Sequence, residues 1–129
     1  MSKFFVIILL FFTSCLDLRT KKHITNSYYL MNSELPKEGI GLYFKLKNQD
    51  YIGVVGCRLV AISYNDSFIF LKQEQKNNFN ENYYIISLFD KINLSPDENK
   101  IGPLDLLEFK NKVIDFGILK EVVWEKVEL

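Results

Sequence analysis

Few side chains in this chain carry the chemistry of catalysis or metal binding, and their spacing decides what each is for. His23 is the only histidine, and cysteine occurs at Cys15 and Cys57. A Ser-His or Cys-His pair would have to recruit His23, which lies in a polar stretch and reads as a solvated linker residue. Zinc needs clustered Cys and His, and there are too few of either. Asp97-Glu98 sits in a turn, and Asp105 with Glu108 stands at a predicted helix start, where carboxylates cap NH groups. Asp90, Asp97 and Asn99 do not follow the spacing of a calcium loop. Gly53-Val54-Val55-Gly56 lacks the lysine and the following helix of a phosphate loop, and reads as a bulge or a tight approach. No catalytic residue, metal or cofactor is assigned, and a non-enzyme is expected.

Cys15 is the exception, because of what precedes it. Lys3 gives a positive start, and Phe4 to Phe12 is an unbroken apolar run. As a helix that run reaches about 14 Å, roughly half of a bilayer's hydrocarbon core, so it is too short to span. A charged start, a short apolar centre and small residues describe a secretory signal. Phe12-Thr13-Ser14-Cys15 resembles the lipobox of bacterial lipoproteins, with Phe12 where leucine is commonest. The resemblance implies diacylglyceryl transfer to the Cys15 thiol and cleavage just before it. An ordinary signal peptide with Cys15 near its cut, or a buried N-terminal strand, are the alternatives. Each buried methylene contributes about 0.8 kcal/mol, so two or three acyl chains would hold a domain at a membrane permanently.

The implied organisation is a signal peptide over residues 1–14, a lipidated tether over 15–25 and one globular domain over 26–129. That length supports one core and no more. Lys and Arg balance Asp and Glu at sixteen each, and no long basic run appears, so no nucleic acid partner is expected. The short runs at 19–22 and 45–47 read as solvated edges or tether. With Cys15 lipidated, Cys57 has no partner for a disulfide and reads as a small buried hydrophobe. Leu16 and the lack of a dense acidic cluster after Cys15 point to an outer membrane location facing the periplasm.

Around these residues the chain alternates as β-structure does. SYYLM at 27–31, GLYFKL at 41–46 and Tyr51 to Val55 are rich in aromatic and branched residues. In 57–73, two strand-like runs flank Asn65-Asp66, residue types suited to a tight hairpin turn. Phe68 and Phe70 share one face opposite Ile69 and Leu71, as in a strand covered on both sides. NYYIISL at 82–88 is a further strand, after a polar loop holding Phe79. A helix is expected from Pro103 to Phe116, with Gly117 as its cap and a stripe of Leu106, Phe109, Val113 and Phe116, widened by Leu107 and Ile114. The segment 118–129 is ambiguous between strand and helix, with strand favoured. The fold class is α+β: a mainly antiparallel sheet of five to seven strands with one C-terminal amphipathic helix packed on it.

The tyrosine pairs Tyr28-Tyr29 and Tyr83-Tyr84 leave one ring of each pair facing outward on a strand. Tyr28 and Tyr83 are assigned as that contact surface, against the alternative that both rings pack over neighbouring strands. Trp124 is expected in the core.

With Cys15, NSYYL at 26–30, ISYNDSFIFLKQ at 62–73, NYYII at 82–86 and IGPL…EF across 101–109, the chain resembles small uncharacterised bacterial lipoproteins, Bacteroidetes-like, with a DUF3997-type domain. That resemblance implies no activity and carries over no functional residues. The expected function is a lipid-anchored, non-catalytic protein-binding module of the immunity or inhibitor kind. A structural or assembly factor of the envelope and a small hydrolase are the alternatives. Partners expected are the membrane, through the lipid, and a protein not identified from sequence; the oligomeric state is open.

Overall fold

The computed structural model of the chain describes residues 19–33, 36–76, 80–88 and 96–129. Phe12, Thr13, Ser14, Cys15, Phe79 and Asp90 lie outside these residues, as does the side chain of Asp97. Nine strands and one α-helix occur among the described residues, giving the expected α+β class with more strands than anticipated. The first sheet has the order β1-β2-β3-β4, from Lys21–Thr25, Tyr28–Asn32, Ile40–Lys45 and Tyr51–Val55. The second has the order β8-β7-β6-β5-β9, from Lys100–Leu104, Glu81–Ser87, Phe68–Glu74, Leu59–Tyr64 and Glu125–Lys126. Every pairing is antiparallel.

The sheets pack face to face, and the helix α1, Leu106–Asp115, covers the far side of the second sheet. Two apolar layers result. Between the sheets, Leu30 and Leu42 meet Ile69, Leu71 and Ile86, all essentially free of solvent. Under α1, Phe68, Phe70, Tyr83 and Ile85 meet Phe109 and Val113. The period-2 alternation of β6 and β7 feeds both layers, so these two strands are apolar on both faces.

The hairpin at Asn65-Asp66 forms as its residue types require. The Asn65 side-chain oxygen accepts from the backbone NH of Ser67 and of Phe68, at 2.8 and 2.9 Å. Pairing of β3 with β4 shifts between Leu42 and Tyr43, so Val54 is the extra residue of a bulge beside Gly53. Gly41 has no room for a side chain, since a Cβ would sit 2.9 Å from the Val55 carbonyl oxygen.

Three boundaries differ from the sequence reading. Lys21–Thr25, read from sequence as part of a tether over 15–25, is instead a strand that pairs with β2 and buries Ile24. The helix does not begin at Pro103, which belongs to β8; Asp105 is its N-cap, in a capping box with Glu108. The segment 118–129 forms only the two-residue strand Glu125–Lys126, while Trp124 is partly buried against Phe109 and Tyr83.

Candidate functional site

Among the described residues, those weighed for chemistry in the sequence, His23, Cys57, Asp105 and Glu108, are not brought together into one site. Asp105 and Glu108 are engaged with each other's backbone: the Asp105 carboxylate accepts the Glu108 NH at 2.8 Å, and Glu108 accepts the Asp105 NH at 3.2 Å. His23 lies on β1, not in a linker, with its ring 4.9 Å from that of Tyr29 and its Nε2–H donated to the Asn26 carbonyl at 2.7 Å. Cys57 is half-buried, and its thiol points at the Glu38 carboxylate, 3.6 Å away. Among the described residues no group of three or more His, Cys, Asp and Glu side chains is placed to hold a metal ion. No helix among them is long and apolar enough to cross a membrane.

Tyr28 and Tyr83 do not form the contact surface assigned to them. Tyr28 is 3% exposed and Tyr83 7%. The register explains both: Tyr28 shares its face with Leu30 and points between the sheets, so Tyr29 is the outward ring of that pair. Strand β7 is covered on both sides, with Tyr84 toward the first sheet and Tyr83 beneath Phe109, 4.9 Å between ring centres. Burial raises the pKa of all three tyrosines, Tyr28, Tyr83 and Tyr84.

Three surface features stand in their place. An open groove of about 720 Å³ lies where the sheets meet, lined by Lys37, Arg58 and Lys76 together with Glu38 and Glu74. Its opposed charges define no single ligand.

The second feature is apolar. On α1 and the segment after it, Leu106, Leu107, Ile114, Phe116, Leu119 and Val123 are exposed, Leu119 to 93% and Leu107 to 69%. The predicted stripe therefore overstates what the sheet covers, since only Phe109 and Val113 of the helix are buried. A shallower recess of about 390 Å³ runs between the segment 118–123 and Ser63, Asn65 and Phe70. Sequence periodicity shows the apolar positions but not that one helix on one sheet leaves four of the six, Leu106, Leu107, Ile114 and Phe116, exposed.

The third feature occupies the opposite side, the outer face of the first sheet. Alternation and register place Lys21 and His23 of β1, Tyr29 of β2, Tyr43 and Lys45 of β3, and Tyr51 of β4 on this face. Tyr29 and Tyr51 meet edge to face with ring centres 5.4 Å apart. Lys21 and Lys45 lie over the Tyr51 ring at 5.3 and 5.9 Å, and Arg19 over Tyr43 at 5.3 Å. The two short basic runs, distant in sequence, are thus joined by the pairing of four strands.

No protein-family model, curated protein or solved structure matches this chain.

Proposed function

We propose that this chain is a lipid-anchored lipoprotein of the bacterial envelope, held through Cys15 at the outer membrane and facing the periplasm. Its domain serves as a non-catalytic protein-binding module of the immunity or inhibitor kind. The observation that carries the binding role is the exposed apolar side of α1 and the segment after it, above all Leu107, Ile114 and Leu119. Singly exposed leucines are ordinary on any surface, but these fall on one helix and its continuation, on the side opposite the first sheet. Burying one such side chain against a partner is worth about 1.5–3 kcal/mol, so a few suffice as anchors for a specific complex. Leu107 and Ile114 are seven residues apart, two helical turns, and therefore lie on the same side of α1.

A photo-crosslinking amino acid placed at Leu107 or Ile114 in the native envelope tests the role. One discrete adduct with a different protein is expected from both positions, and none from Lys22 on β1. Adducts only at twice the chain's own mass, or no adduct, would contradict a heterologous partner at this surface. An adduct with a large envelope complex would favour the assembly-factor reading.

A further inference from the structure

We infer that the outer face of the first sheet is a docking surface for anionic phospholipid headgroups, on which the domain lies with α1 turned away from the membrane. The inference rests on the anchor reading for one element, the proximity of the bilayer, and on the geometry of the face for the rest. Arg19, Lys21 and Lys45 supply the charge, and Tyr29, Tyr43 and Tyr51 the rings over and between which those cations sit. No residue at an outward register position of β1 to β4 is acidic. Ammonium and guanidinium groups pair with headgroup phosphates through charge-assisted hydrogen bonds. Tyrosine, apolar in its ring and polar at its tip, is suited to the depth at which headgroups meet hydrocarbon. Met31, the one flexible aliphatic side chain at an outward register position of β1 to β4, is free of solvent, so the face presents no aliphatic wedge and suits resting on headgroups rather than insertion.

The path of the chain supplies the second argument. Arg19, on this face, is four residues after Cys15, and four residues fully extended reach about 14 Å. Acyl chains on Cys15 would therefore hold this face, and not the helix, within reach of the lipid. The layer order completes the picture. The second sheet and α1 stack behind the first sheet, so the apolar side of the helix points into the surrounding compartment where a protein partner can reach it.

The test is residue-resolved lysine acylation, read by mass spectrometry, on the native chain in vesicles of phosphatidylglycerol and phosphatidylethanolamine or of phosphatidylcholine alone. Labelling of Lys21 and Lys45 is expected to fall about threefold or more in the anionic vesicles. Lys110, Lys112 and Lys120, on or after α1, should label equally in both, and the protection should fade as salt shortens the screening length. Equal labelling of Lys21 and Lys45 in the two lipids, or protection of the helix lysines instead, overturns the inference. Protection already present in neutral detergent and growing with protein concentration would assign the face to a second copy, and also overturns it. The same digest contains the Cys15 peptide. An acyl mass there without lysine protection defeats the headgroup surface alone. A Cys15 peptide without acyl mass defeats the anchor, and the chain added to preformed vesicles then tests the face by the same labelling.

Discussion

The guanidinium of Arg19 lies over the ring of Tyr43, with 5.3 Å from its central carbon to the ring centre. Arg19 also donates to the Asn32 carbonyl at 3.3 Å, so the chain entering the domain is held against β2 and β3 before β1 begins. This contact ties the N-terminal segment to one face of the sandwich. It gives the molecule two unlike sides, basic and aromatic at the entry and apolar at the helix.

The two sides should separate in mutational experiments. Leu30 is fully buried between the sheets, and Leu30→Ala is expected to lower unfolding stability by about 2–5 kcal/mol in urea titrations. Leu107 is 69% exposed, so Leu107→Asp should leave stability within about 0.5 kcal/mol while removing the helix crosslink. A large stability loss from Leu107→Asp would mean that the residue packs within the domain and is not a contact for partners.

Asp105 terminates α1 by accepting the Glu108 NH at 2.8 Å. Asp105→Ala should cost about 1 kcal/mol of stability, and Asp105→Asn or Asp105→Ser much less, because a side-chain acceptor is retained. An Asp105→Ala protein as stable as the parent in chemical denaturation would show that the cap contributes nothing.

Gly102 adopts φ +137°, and a Cβ there would meet Tyr84 Cδ1 at 2.6 Å and the Tyr83 carbonyl at 2.7 Å. Backbone and a ring held between the sheets cannot both give way cheaply. Gly102→Ala should therefore destabilise the fold by about 1–3 kcal/mol, measured by the thermal midpoint. An unchanged midpoint would mean that β8 sits farther from β7 than described.

Tyr28, Tyr83 and Tyr84 have pKa values raised by burial, a shift opposed at Tyr28 by its hydrogen bond with Asn99 and increased at Tyr83 by the Glu81 carboxylate. Because the folded values lie above the unfolded value near 10, the folded state retains protons that the unfolded chain loses as pH rises. These residues should therefore leave stability unaffected up to about pH 9 and reduce it above about pH 10. Denaturation midpoints followed across that range check the sign, and Tyr84→Phe should make the alkaline decline shallower. A decline equally steep in Tyr84→Phe would assign it to other groups.

Most strands were legible because their apolar residues alternate and their turns carry the residues turns need, as at Asn65-Asp66. β1 was not, because KKHIT offers a single inward apolar residue, Ile24, and an edge strand needs no more. The facing of Tyr28-Tyr29 is hidden by their identical chemistry. The signal lay one residue further along, since Leu30 must face the core and takes Tyr28 with it. Pro103 drew the helix start too early, although the spacing of Asp105 and Glu108 already marked the cap. The basic and aromatic face could not be read locally, because Arg19, Lys21 and Lys45 become neighbours only through the pairing of β1 to β4.

The mass of the mature N-terminal peptide, from protein purified out of the envelope, bears most directly on the whole account. The account requires that peptide to begin at Cys15 and to carry diacylglyceryl on its sulfur, with Cys15→Ala left unprocessed and free of fatty-acid label. A peptide that keeps Met1, or one that includes Cys15 without acyl mass, would contradict it.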